Sequence, residues 1–234
     1  MRNPRVLWQK LLRTILPAAF LLPASWQQRA MAEVPLLALD FELTSLDVNE
    51  ANVTSVGWVA GKGGSIALDS AYYEVVRSDG GLAQSPVIHG LTQADISNGV
   101  PVKQVLDALV PLLNSHIIVC HNAELDMGVL HRLMQKQNRY AADVVILDTM
   151  KFAIYQLKKH HEVLPLQSAT LPVCRQRLGL PDAPAHNALD DAMATLQLWF
   201  AQLHQLSGGQ STKMKNLVHT GGLSIENLGK IPDG

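Results

Sequence analysis

One seven-residue stretch, Leu36-Leu37-Ala38-Leu39-Asp40-Phe41-Glu42, constrains the fold more than any other. Four apolar residues run straight into two carboxylates separated by one residue. An apolar run this short predicts a buried strand rather than a helix. Residues i and i+2 of a strand share a face, so Asp40 and Glu42 should project side by side from a core strand. Two like charges held close away from water are costly unless something positive neutralises them. A divalent cation with oxygen ligands, Mg2+ or Mn2+, is the simplest such partner. The rest of the chain should then supply further oxygen ligands.

The length of 234 residues suits one domain with extensions or two small ones, and 47% hydrophobic residues exclude wholesale disorder. A formal net charge of -1 argues against coating long duplexes by bulk charge, while leaving room to grip a few nucleotides at a strand end. Cys120 and Cys174 are far apart and lack metal-ligand spacing, which reads as two reduced core thiols and points to the cytoplasm.

Residues 1–33 admit two readings. Arg2, Arg5, Lys10 and Arg13 precede the apolar run from Ile15 to Pro23, and Ala30-Met31-Ala32 resembles a cleavage site, the outline of a targeting signal. Pro17 and Pro23 interrupt that outline, and Trp26 to Arg29 separate the run from the triplet. We therefore read a helical extension with Val6, Leu7, Leu11 and Leu12 as its apolar stripe. The run falls well short of the roughly 18 residues that span a bilayer, so no membrane partner is expected.

Residues 34–206 read as one domain. Strands are expected at Leu36 to Phe41, Val53 to Ala60 and Ile66 to Val76, joined by short loops and therefore antiparallel. Pro101 opens a helix that Pro111 should bend or end. Ile117 to Cys120 is a fourth strand, and Asn122 is expected to cap a helix over residues 123–137. Val144 to Leu147 is a fifth strand, with Asp148 capping the next helix. A short helix ends at Gly179, and residues 189–206 form the last one. The pattern is a mixed α/β sheet covered by helices. Residues 207–234, rich in Gly, Ser, Lys and Asn, read as a mobile tail.

Three clusters carry chemistry: Asp40-Phe41-Glu42 with Leu43-Thr44-Ser45-Leu46, His121 to Asp126, and His186 to Asp191. Singly, each has an ordinary reading as a solvated strand edge, a favourable charge at a helix start or a surface histidine. In this order they resemble the three exonuclease motifs of the DEDD superfamily. The branch is the one with a histidine in its third motif (DEDDh, DnaQ-like), which includes the proofreading subunit of bacterial DNA polymerase III. The family's D-x-E-T-T-G-L appears as Asp40 to Leu46, its H-N-x-x-F-D as His121 to Asp126, and its H-x-A-x-x-D as His186, Ala188 and Asp191. His89-Gly90-Leu91-Thr92 and Asp148-Thr149 resemble two further segments. Ser45 replaces a glycine and Leu125 a phenylalanine. If Ser45 sits where the glycine has positive φ, it carries strain.

The resemblance implies a ribonuclease-H-like fold with a mixed five-stranded sheet, three antiparallel strands followed by parallel ones. It implies a 3′–5′ exonuclease that hydrolyses single-stranded nucleic acid, DNA before RNA or short oligoribonucleotides, with two Mg2+ or Mn2+ ions. Asp40 would bridge the ions, Glu42 and Asp191 would hold the one that binds the attacking water, and Asp126 would help with the second. His186 would be the general base, since a neutral imidazole can take a proton near pH 7. Asp190 is the rival of Asp191. Phe41, Thr44 and Leu46 would hold the 3′ end, and His121 and Asn122 would either support the cleft or make strand-end hydrogen bonds. Lys151, Lys158 and Lys159 either meet phosphates or form a solvated face. The implied partners are a nucleic-acid 3′ end and a DNA polymerase subunit. The alternative is a non-catalytic nucleic-acid-binding or polymerase-accessory module on the same fold.

Overall fold

A computed structural model describes residues 22, 24–77, 90–184, 186–206 and 209–229. After a short helix α1 (Ala24–Gln27), three strands follow: β1 (Leu36–Leu43), β2 (Val53–Lys62) and β3 (Ser65–Val75). Then come α2 (Gln93–Asn98), α3 (Val102–Leu113), β4 (Ile117–Cys120), α4 (Ala123–Lys136) and β5 (Tyr140–Asp148). The chain closes with α5 (Thr149–Lys158), α6 (Leu171–Arg177), α7 (Ala188–His204) and β6 (Leu223–Gly229). The sheet order is β3-β2-β1-β4-β5-β6. β1, β2 and β3 are antiparallel neighbours, β4 and β5 run parallel to β1, and β6 is antiparallel to β5.

The expected mixed sheet is present, with one strand more than five. The tail read as mobile contributes it. Leu223, Ile225 and Leu228 recur along a segment whose Gly and Ser neighbours mask the pattern, and β6 satisfies the open edge of β5. Leu228, Met214 and Leu217 are buried there. Most of the extension expected over residues 1–33 lies outside the described residues, as does His89; of its described part, Leu22 and Met31 are buried. Pro111 does not end α3, which continues to Leu113. Thr92 caps α2 through a capping box with Asp95. Among the described residues no helix is long and apolar enough to cross a membrane.

Strand alternation divides β1 between two cores. Leu37, Leu39 and Phe41 pack with α3 and α4 side chains such as Leu109 and Leu130. Leu36 and Ala38 face the other way, onto Ala192, Leu196 and Trp199 of α7. Asp40 and Glu42 continue the second row, so the strand's own periodicity aims both carboxylates toward α7.

Candidate active site

The carboxylates stand at the carboxyl end of β1, which runs parallel to β4 and β5. Ligands of open α/β sheets bind at this end of parallel strands. Carboxylate oxygens of Asp40, Glu42 and Asp191 all lie within 4.8 Å of one another. Asp191 reaches Asp40 because α7 begins directly on the sheet. Gly57 is the register partner of Asp40, and a Cβ at Gly57 would fall 2.2 Å from the Leu189 nitrogen. Only a glycine permits this approach. Sequence reasoning missed Gly57, although a glycine inside a strand pattern is the signal for such a contact.

Asp126, in the first turn of α4, is buried beside Asp40 but stands outside the 4.8 Å group. It accepts a hydrogen bond from the Phe41 N–H. His186 is exposed, and its main-chain N–H donates to Asp191 Oδ2 at 3.1 Å. His186 has a left-handed backbone, with φ of 67°. Asn187 then caps α7, its Oδ1 accepting from Leu189 and Asp190 N–H.

The electrostatics are those of carboxylates that oppose one another's ionisation, with Arg175 and His186 as opposing charges at Asp191. Burial pushes Asp40 well above the usual carboxylate range, and Asp126, Asp191 and Glu42 push it further. Burial and Asp191 raise Glu42 from 4.5 to about 7. Burial also lifts Asp126 well above its ordinary value, against the Phe41 N–H. Asp191 is raised by burial, while the N–H and charge of His186 act in the opposite sense. Clustered carboxylate oxygens that resist ionisation together fit hard divalent cations, and no thiol intrudes on the group.

Phe41 is buried in the core, and of the three residues expected at a 3′ end only Leu46 presents an exposed side chain, at 85%. Thr44 Oγ1 instead accepts from the Asn52 N–H at 2.9 Å and braces the loop that carries Leu46. His121 makes strand-end hydrogen bonds. Its Nε2 bonds the Ala169 carbonyl at 2.9 Å and its Nδ1 the Thr149 hydroxyl at 2.8 Å. A carbonyl only accepts, so Nε2 carries the proton. Burial holds this imidazole's pKa below its ordinary value.

Asn122 does not cap α4 with its side chain and has φ of 76°. Asp148 does so from the neighbouring strand, its carboxylate accepting from Asn122 N–H at 3.3 Å and Ala123 N–H at 3.1 Å. The same carboxylate caps α5 as expected, through Met150 and Lys151 N–H.

The family model RNase_T, described as exonuclease, matches residues 37–199. The DNA polymerase III PolC-type protein of Thermotoga maritima is 27% identical over 186 residues, which cover 79% of this chain and 13% of that relative. The chain thus spans a small part of that relative's length. Among solved structures, cell-death related nuclease 4 (CRN-4) superposes with a TM-score of 0.61 at 16% identity, covering 83% of this chain and 67% of its own. The nuclease domain of 3'hExo, described as a DEDDh family member bound to rAMP, superposes with a TM-score of 0.56 at 14% identity, covering 79% and 98%.

Proposed function

Because the chain belongs to the RNase_T exonuclease family, we propose that it is a DEDDh-type 3′–5′ exonuclease that shortens single-stranded nucleic acid to nucleoside monophosphates. The observation that carries the reading is the convergence of Asp40, Glu42 and Asp191 within 4.8 Å, with His186 hydrogen-bonded to the last of them. Asp40, Glu42 and Asp191, with Asp126 behind Asp40, would hold two divalent cations, Mg2+ or Mn2+. Such ions lower the pKa of a bound water and neutralise charge on the leaving oxygen.

The chain's own groups do the rest. His186 takes the proton of the attacking water at a ring nitrogen, since its main chain ties it to Asp191 while its side chain stays exposed. Leu46 lies against the last base, a contact that tolerates any base. Asp126 fixes the first motif by accepting the Phe41 N–H. DNA is the first substrate we assign, because a PolC-type DNA polymerase is among the sequence relatives, and that kinship also motivates a polymerase subunit as partner. The rAMP in the 3'hExo structure makes RNA the substrate to compare.

The test uses 5′-labelled DNA and RNA oligomers of one sequence with Mn2+, Mg2+ or chelator. A ladder shortening from the 3′ end, abolished by chelator, by Asp40→Ala and by His186→Ala, is expected. Binding of the oligomers without metal-dependent shortening would replace the enzyme with the accessory module.

A further inference from the structure

Four large hydrophobic side chains stand out as exposed among the described residues: Leu46 at 85%, Leu68 at 66%, Val163 at 85% and Leu166 at 97%. Leu68 lies on the edge strand β3, away from the carboxylates. Leu46 belongs to the loop that follows β1, and Val163 and Leu166 to the loop between α5 and α6. Leu46 stands four residues after Glu42. The return of the loop between α5 and α6 is tied down by the His121 ring on Ala169 and by the Arg177 guanidinium on Ser168. The parallel register Ala38↔Val119, continued by two residues, sets His121 level with Asp40. The return of the loop at Ala169 is therefore anchored beside the carboxylates, while Val163 and Leu166 earlier in the loop are exposed.

Basic side chains gather in the same stretch: Lys151, Lys158, Lys159 and Arg177 lie between Asp148 and Asp182 with Glu162 among them, while Arg175 is buried on the Ala194 and Pro181 carbonyls. Lys158 and Lys159 precede Val163, with His160, His161 and Glu162 between. The Lys159 ammonium is steered by the Tyr155 ring, 4.5 Å from its centroid.

We infer that residues 158–166 form a gripping surface for single-stranded nucleic acid upstream of the bond to be cut. Lys158 and Lys159 meet phosphates, and Val163 and Leu166 lie against base faces. This surface rests on the exonuclease reading and adds a second contact zone to it. Cations beside exposed apolar side chains match a strand whose bases are unpaired, with a phosphate edge and an apolar edge. A protein partner fits less well. A stable docking face takes about 800 Å² from each side, far more than a nine-residue loop presents.

The experiment measures fluorescence anisotropy of a labelled oligothymidylate of about 16 nucleotides in chelator over a salt series. The wild type is compared with Lys158→Ala/Lys159→Ala and with Val163→Ser/Leu166→Ser, after circular dichroism shows all three folded alike. The lysine pair is expected to lose about tenfold in affinity and to flatten the salt slope by about 1.4, two single-strand phosphate contacts. The apolar pair is expected to lose about threefold with the slope unchanged. Binding equal to wild type in both variants overturns the proposal and hands the loop to a protein partner. The exonuclease reading is checked separately, by wild-type hydrolysis of the p-nitrophenyl ester of thymidine 5′-monophosphate in Mn2+, a substrate with no upstream strand. Cleavage of that ester together with unaltered oligomer binding in the variants would sink the surface and leave the enzyme standing.

Discussion

Asp148 and Asp40 follow similar apolar runs, Val144 to Leu147 and Leu36 to Leu39, and both end their runs at the same end of the sheet. Their surroundings differ. The Asp148 carboxylate accepts four main-chain N–H groups, from Asn122, Ala123, Met150 and Lys151, and pins two helix starts at once. It is electrostatically complete without any ion. Asp40 has Asp126, Asp191 and Glu42 around it, and each raises its pKa. A buried carboxylate that collects donors belongs to the architecture. Buried carboxylates that collect one another store repulsion, which a bound cation relieves.

The largest effect should come from exchanging Asp40. Asp40→Asn is expected to lower kcat on an oligonucleotide by on the order of 10³-fold while raising the Tm of metal-free protein, since it removes repulsion. Asp148→Asn should show the reverse pattern. It loses an acceptor for two helix starts and about 1–3 kcal/mol of stability, with activity per folded molecule changed far less. Calorimetry with and without Mn2+, paired with kinetics, checks both. Equal kinetic losses from the two exchanges at matched folding would erase the distinction.

Gly57→Ala tests how the cluster is assembled rather than what it is made of. The new methyl meets the Leu189 main chain at 2.2 Å and must push α7 off the sheet. A shift of about 1 Å in Asp191 and His186 is expected to cost roughly 10²-fold in kcat, with about 1–3 kcal/mol of overpacking destabilisation. Near-normal kcat in a folded Gly57→Ala protein would mean that Asp191 does not depend on this close approach.

These cases show why some of the site is legible in sequence and some is not. Asp40 and Glu42 are legible because a period of two ties them to one face, and Asp191 and His186 because motif spacing fixes them. The structure adds that Asp191, not its neighbour Asp190, joins the group. Gly57 is silent because its role is to be absent from a space that α7 fills. The cap of α4 is misread because its acceptor comes from another strand, 25 residues away from Ala123. The side chain of Phe41 goes to the core because strand alternation buries it, a placement that its motif position alone does not convey. β6 is hidden by Gly and Ser neighbours, and only the open edge of β5 explains it.

Stored repulsion also has a pH signature. Glu42 has its pKa raised from 4.5 to about 7 in the folded, metal-free protein, so the folded state holds more protons than the unfolded one between those values. By linkage, its contribution to stability is fully present below about pH 4.5 and lost as pH rises through 7. His121 slopes the other way below about pH 6.5, because burial lowers its pKa and the unfolded state binds the extra proton. The informative quantity is therefore the rise in Tm on adding Mn2+. That rise should grow as pH climbs from about 4.5 to 7 and flatten in Glu42→Gln. A pH-independent rise would place the repulsion elsewhere.

The smallest expected effect belongs to Ser45, the departure in the first motif, three residues after Glu42. Its backbone is not left-handed; the described non-glycine residues with positive φ are Asn122, Asn138, Asp143, Gln167 and His186. Its hydroxyl oxygen accepts the Asp47 N–H at 3.1 Å, which shapes the turn below Leu46. Ser45→Gly therefore relieves no strain. It removes one exposed hydrogen bond and loosens the loop, for a loss of about 0.5–1 kcal/mol and a change in kcat/KM within about twofold. A tenfold gain in activity would show that the serine restrains the cleft. The cost would then lie in the loop that presents Leu46 and not in the carboxylates beneath it.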